Sequence, residues 1–134
     1  MTFRIALCSL LLAVRLLGTD LYPTRIEALV YPPLANQARI EGTVKLKLGL
    51  SARGEVLTAD IISGNRVLAK AAQANALKWG FAAPCSNGET AGKAIEITYD
   101  FRLVGEVQSR PTTLFRYEHP YRISIVSQAL HWTP

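Results

Sequence analysis

The cysteine and histidine residues outside the apolar N-terminal segment are the first candidates for a metal site or a nucleophile–base pair. They are Cys85, His119 and His131. Both histidines lie in the C-terminal tail, and no spacing among the three residues resembles a ligand motif or a nucleophile–base pair. We therefore predict neither a metal site nor a covalent catalytic site at these positions.

The acidic residues that could serve acid–base chemistry stand singly. Glu41, Asp60, Glu96 and Asp100 fall on separate predicted strands or helix ends, without the paired arrangement that general acid–base catalysis uses. The sequence also has no glycine-rich phosphate-binding loop. We expect a protein that is not an enzyme and has no cofactor.

The basic residues do not form a nucleic-acid-binding pattern. The 134-residue chain carries 15 Lys and Arg against 10 Asp and Glu, giving a formal net charge of +5. These residues are spread singly and are not interleaved with aromatic side chains, as they would be in a nucleic-acid-binding patch. We predict a single folded domain with tails and no nucleic-acid partner.

The patterns that would position any site begin with a short helix and a hairpin. Pro32 and Pro33 suit the first turn of a helix that Gly42 ends. Apolar residues then fall on every second position of residues 44–50, which predicts a strand with one buried face. Gly54 permits a tight connection to a second strand.

That second strand, at 55–63, departs from regular alternation near Ile61 and Ile62. Such a slip indicates a β-bulge or a strand buried on both faces. The main helix follows at 66–78, with mostly small residues on its apolar face. Asn75 lies on that face and needs a hydrogen-bonding partner if it is buried.

Trp79 and Phe81 end the main helix, and we expect both in the core. Residues 95–103 alternate without a fault and predict the clearest strand, while 112–127 resembles a C-terminal hairpin. The fold class is therefore α+β. We predict a small antiparallel sheet of about three core strands (β-β-α-β after a short helix), one main helix on one face, and the C-terminal hairpin.

The N-terminus has a basic start and an apolar run of about ten residues, which fits a secretory signal better than a membrane span. We divide the chain into 1–18 (signal peptide, or a short anchor), 19–30 (lead), 31–104 (domain) and 105–134 (extension). We expect a periplasmic or secreted protein, with inner-membrane anchoring through residues 1–18 as the alternative. Membrane contact is then limited to those residues.

The order helix, strand, strand, helix, strand resembles the C-terminal domain of TonB-type energy transducers. The residues that carry this resemblance are Tyr31-Pro32, Ala35, Ile40-Glu41-Gly42, Val44, Gly54, Val56, Ser63-Gly64, Leu68, Ala71-Ala72, Trp79, Phe81 and Pro84. The resemblance covers about half of the chain. It implies a periplasmic protein-binding domain that captures an extended segment of an outer-membrane receptor or transporter.

An edge strand at 94–103 would provide that binding by accepting a partner strand. The candidate partner-binding residues are Tyr31, Glu96, Thr98, Asp100 and Arg102. The hairpin at 112–127 is a rival for the same edge, because it could cover it permanently or reversibly. The alternative function is a structural or self-associating exported domain without energy transduction, which would dimerise through the edge strand or Cys85.

Overall fold

The computed structural model describes residues 21–82, 94–108 and 110–131. Seven strands and two helices lie in these ranges. In chain order they are β1 (Tyr22–Arg25), α1 (Pro33–Gln37), β2 (Gly42–Leu50), β3 (Val56–Ser63), α2 (Arg66–Ala76), β4 (Gly80–Ala82), β5 (Ala94–Val107), β6 (Thr113–Glu118) and β7 (Arg122–Leu130). Cys85 lies outside the described residues, as does the N-terminal segment 1–20.

The main sheet has five strands in the order β3-β2-β5-β7-β6. Every neighbouring pair is antiparallel except β5 and β7, which run parallel. A separate two-stranded sheet joins β1 to β4. The predicted α+β class is confirmed, and the C-terminal hairpin enlarges the sheet beyond its three predicted core strands.

The expectation that residues 94–103 form a sheet edge is wrong. They belong to β5, which lies between β2 and β7. Alternating apolar residues report that one face of a strand is buried, but they do not report how many strands lie beside it. The hairpin covers this edge, as both the permanent and the reversible arrangement require.

Apolar residues on one face of the sheet form the core beneath the two helices. The largest buried side chains are Trp79, Tyr99, Phe81 and Phe101. Trp79 stacks on Phe81 with ring centroids 6.0 Å apart, and Tyr99 stacks on Phe101 at 6.2 Å. The core positions predicted for Trp79 and Phe81 are confirmed.

The buried amide of Asn75 connects α2 to the sheet and to the lead segment. Its Oδ1 accepts hydrogen bonds from Trp79 Nε1 and from the Tyr99 hydroxyl, both at 2.9 Å. Its Nδ2 donates to Glu27 O at 2.9 Å. The partner that the sequence required for Asn75 is thus supplied by three separate parts of the chain.

The Gly54 turn and the strand irregularity follow the expected backbone chemistry, and the end of the first helix does not. Gly54 has φ +84°, and an added Cβ would lie 1.6 Å from Phe81 O, so only glycine fits there. The predicted irregularity near Ile62 is a register shift between β2 and β3. Helix α1, however, ends at Gln37, and Arg39 at φ 54° turns the chain before Gly42 is reached.

We predict that Asn75→Ala lowers the free energy of unfolding by about 3 kcal/mol, because it leaves two buried donors without an acceptor. Urea denaturation measures the loss. Lys70→Ala, on the exposed side of the same helix, is the control and should change stability by less than about 0.5 kcal/mol. Combining Asn75→Ala with Tyr99→Phe should cost less than the sum of the two single changes, because the second removes a hydroxyl that the first leaves unpaired.

Candidate functional site

Four of the five predicted partner-binding residues share the open face of β5. Glu96, Thr98, Asp100 and Arg102 alternate with buried residues that point toward the helices. No helix of the described chain covers their face, on which Thr43 of β2 and Arg122 of β7 contact Asp100. The structure thus brings these four residues together.

Tyr31 lies apart from them, on the helix-covered face. Its ring is 2% exposed and meets Phe101 edge-on, with centroids 5.6 Å apart. Its hydroxyl donates to Ile40 O. Burial, together with the nearby carboxylate of Glu41, raises the pKa of Tyr31 to about 12. Tyr31 is therefore a core residue in this structure.

Asp100 ties the hairpin to the body of the sheet. It accepts a hydrogen bond from Thr43 Oγ1 on β2 and one from Arg122 Nε on β7, each at 2.7 Å. Arg122 Nη2 contacts the same carboxylate oxygen. Burial works to raise the pKa of Asp100, but these donors outweigh it and hold that pKa below its ordinary value.

The hairpin is integrated into the core beside β5. Ile123 and Ile125 of β7 are fully buried, and Thr98 N donates to Tyr121 O at 2.9 Å. At the other end of β7, Asn36 Nδ2 donates to Gln128 O and Asn36 Oδ1 accepts from Leu130 N. The place beside β5 where a partner strand was expected is filled by the chain itself.

The two outer strands of the described sheet are β3 and β6, and they differ in regularity. β3 has two register shifts against β2, at the positions where the exposed Leu57 and Ile62 project. Gln73 Nε2 on α2 also donates to Ala59 O at 2.6 Å. Bulges and covering side chains are the devices that commonly protect an edge strand from pairing.

β6 has none of these protections. Its six residues pair with β7 in continuous register. Gln128 N donates to Thr112 O, so the antiparallel alternation turns the N–H and C=O groups of Thr113, Phe115 and Tyr117 away from β7. In the described chain no strand lies on that side. β6 is therefore the regular open edge.

A cavity of about 150 Å³ lies beside the start of β6, on the helix-covered face. Its lining comes from the lead, α1 and the hairpin. The lining residues are Val30, Tyr31, Pro33, Asn36, Gln37, Pro111, Thr113, Ser127 and Leu130. Thr113 Oγ1 accepts from Tyr31 N at 3.3 Å, and Asn36 uses both ends of its amide on β7, so these lining groups already have partners.

The histidines considered at the start occupy unrelated places. His131 Nδ1 contacts Glu106 Oε2 at 2.7 Å, and Arg39 Nη2 contacts Glu106 Oε1 at the same distance. The hydrogen bond with His131 and the charge of Arg39 lower the pKa of Glu106. His119 lies near Tyr121, in the β6–β7 turn. Across the described ranges, no group of three or more His, Cys, Asp or Glu residues could hold a metal ion.

The sequence did not reveal the β6 edge or the cavity. Alternation over 113–118 predicted the strand, but its outer position depends on the parallel pairing of β5 with β7, for which there is no local signal. The cavity joins residues about 80 positions apart, such as Tyr31 and Thr113. No helix among the described residues is long and apolar enough to cross a membrane.

Together these features define a class of protein, the small α+β domain with helices on one face of its sheet and a regular outer strand. A family model described as Gram-negative bacterial TonB protein C-terminal matches residues 27–103. The chain belongs to this family. Strands β6 and β7 lie C-terminal to the matched residues.

Individual relatives agree with this assignment. Protein TonB of Xanthomonas campestris pv. campestris, in strains B100 and ATCC 33913, is 36% identical over 75 residues, covering 54% of this chain and 34% of each relative. The chain thus matches about a third of the length of these curated relatives. The solution NMR structure of the Pseudomonas aeruginosa TonB C-terminal domain matches with a TM-score of 0.51 and 26% identity, covering 63% of this chain and 88% of that one.

We predict that Asp100 makes stability sensitive to acid. Because its pKa is lower in the folded state than the ordinary value of about 3.9, its contribution is complete above that value and is lost as pH falls through the folded pKa. The difference in unfolding free energy between wild type and Asp100→Asn should be constant above about pH 5 and shrink below about pH 4. Urea denaturation across this range measures it. Arg122→Gln should reduce the same pH-dependent difference, and a difference that stays constant down to pH 2 would contradict the assignment.

We predict that the hairpin stays on the sheet. Detaching β7 would expose at least Ile123 and Ile125, at about 1.5–3 kcal/mol each. Hydrogen exchange of the β7 amides should therefore be at least about 100-fold slower than in the unfolded chain. The β2 amides should show the same protection. Within β6, the amides of Leu114 and Arg116 should be protected and those of Phe115 and Tyr117 should exchange fast. Rapid exchange along all of β7 would instead indicate a detachable hairpin.

Proposed function

We propose that this chain is a periplasmic protein-binding module of the TonB C-terminal type, which takes up an extended segment of a partner protein as an added strand. Its family relationship favours a partner in the outer membrane, such as a receptor or transporter, and a role in energy-coupled transport. Export or anchoring through residues 1–18 belongs to the same proposal.

The observation that carries the proposal is the regular open edge of β6. Main-chain N–H and C=O groups on an unpaired edge supply the affinity of strand addition, and neighbouring side chains supply its specificity. Because β7 occupies the position beside β5, the added strand pairs with β6. Glu96, Thr98, Asp100 and Arg102 then contribute through the open face that continues from β5 to β6, and Asp100 holds the hairpin that supplies the edge.

The alternative is a structural or self-associating domain without energy transduction, in which the hairpin completes the sheet. The full burial of Ile123 and Ile125 favours a permanent closure of β5. Self-association through an outer strand would use the same groups on β6, or the exposed Leu57 and Ile61 on β3. This alternative predicts that foreign peptides do not bind at β6.

A selection from a random decapeptide display library on the full chain should yield peptides that bind at β6. Heteronuclear NMR of the complex should show the largest shifts at the amides of Thr113, Phe115 and Tyr117. N-methylation of the peptide amides that face β6 should abolish binding, because each methyl group removes a donor to the edge. N-methylation at the intervening positions is the matched control and should leave binding within about threefold.

Two results would contradict this proposal. One is that no peptide is enriched over an uncoated surface. The other is that enriched peptides shift β5 or the helices and leave β6 unchanged. Analytical ultracentrifugation of the free chain separates the alternative, since a self-associating domain sediments as a concentration-dependent dimer.

A further inference from the structure

The cavity is lined by Thr113, the first residue of β6, so a strand added to β6 would run past it. Thr113, Phe115 and Tyr117 project to the helix-covered face, since Phe115 and Tyr117 pack on Trp79 with centroids 6.4 and 5.8 Å from it. Residues directly opposite each other on neighbouring strands point to the same face. A partner residue opposite Thr113 therefore faces the cavity.

The size and lining of the cavity suit one apolar side chain. Its volume of about 150 Å³ is below the roughly 300–1,000 Å³ of sites for free small molecules, whereas an apolar cavity of about 150 Å³ holds a benzene-sized group. Pro33, Pro111, Val30 and Leu130 give it apolar walls. Its mouth includes Val30, which is 70% exposed although it is apolar.

The other face of β6 sets the charge of the partner. Leu114, Arg116 and Glu118 point to the open face, and neither Arg116 nor Glu118 has an ion pair with another described residue. Opposite charges facing each other across strands are favourable, and like charges are not. A partner strand thus gains from an acidic residue opposite Arg116 and a basic residue opposite Glu118.

We propose that the β6 edge and the cavity together recognise an extended peptide segment with a bulky aliphatic residue three positions from an acidic one. The aliphatic side chain enters the cavity, and the acidic side chain faces Arg116. This inference rests on the proposed function, because it assumes strand addition at β6. It adds a specificity pocket, formed by α1, the lead and the hairpin.

A second copy does not fit this pattern, because no register of two β6 strands satisfies both the charge pairs and the cavity. Antiparallel pairing of two β6 strands about Arg116 would oppose the two Arg116 side chains, and pairing about Phe115 would place Arg116 opposite Leu114. Both registers lack the acid–base pairs described above. Pairing about Tyr117 does place Arg116 opposite Glu118, but the two β6 strands then overlap only over residues 116–118, and no β6 residue of the second copy lies opposite Thr113 and the cavity. The occupant is therefore a segment of another protein.

The probes are two synthetic peptides whose charged residues complement Arg116 and Glu118 on the open face of β6. Lys-Val-Glu-Val-Thr-Leu places its leucine opposite Thr113 when it runs antiparallel, and Leu-Thr-Val-Glu-Val-Lys does so when it runs parallel. We expect one of them to bind the full chain with NMR shifts at Thr113, Phe115 and Tyr117. Replacing its leucine by alanine should weaken binding about tenfold, since the cavity then stays unfilled.

The variant Val30→Glu places a charge at the cavity mouth and should weaken the leucine peptide about tenfold, with little effect on the alanine peptide. Leu34→Glu is the matched control, because Leu34 is 63% exposed on α1 and does not line the cavity. It should leave both affinities unchanged. Circular dichroism of each variant verifies that the fold is retained.

The outcomes separate this inference from the proposed function. If peptides selected from the library bind β6 while neither leucine peptide does, or if Val30→Glu and Leu34→Glu act alike, the specificity pocket is refuted and strand addition stands. If no selected peptide binds β6 either, both are refuted. The pocket is supported if the leucine peptide binds the wild type more tightly than the alanine peptide does, and if this difference disappears in Val30→Glu.

Discussion

The parallel pairing of β7 with β5 is the interaction on which the rest of the molecule depends. It places Ile123 and Ile125 in the core between the sheet and the helices, and it converts β5 from an outer strand into a central one. Parallel strands need a long connection, which here is supplied by residues 108–121, including β6. The same connection makes β6 the new outer strand, so a single pairing both closes one edge and creates another.

A second set of interactions fixes the position of the two helices against that sheet. Asn75 accepts hydrogen bonds from Trp79 on the chain leaving α2 and from Tyr99 on β5, and it donates to the lead at Glu27. A buried polar group is stable only when all of its partners are in place. This centre therefore fixes α2 relative to β5, while Asn36 fixes α1 relative to β7 in the same way. Both helices are thus tied to the pair of strands on which the sheet depends.

Local chemistry explains which parts of this arrangement could be predicted from sequence. The helix at 66–76, the strands β2 and β5, the bulge near Ile62 and the core positions of Trp79 and Phe81 follow from period, turn residues and side-chain size. The strand β1 has no periodic signal in the sequence, because its four residues are mostly exposed. Their conformation is determined by pairing with β4. The order β5-β7-β6 is not predictable for a similar reason, since strand order is decided by long-range packing and not by the periodicity of any one segment. An aromatic residue before two prolines is compatible with a partner surface and with the core, and only the contacts of Tyr31 with Phe101 and Ile40 place it inside.

The treatment of the sheet edges gives the open β6 its significance. An exposed regular edge promotes aggregation, so proteins bulge, charge or cover such strands. This chain bulges β3 twice and places Gln73 on it, and it covers β5 with its own hairpin. β6 keeps its register unbroken, and a largely apolar cavity lies beside its first residue. Its alternating Arg116 and Glu118 limit which strands can pair with it without preventing pairing altogether. Since the other outer strand, β3, is protected by specific features and β5 is covered, the openness of β6 supports the strand addition that we propose for it.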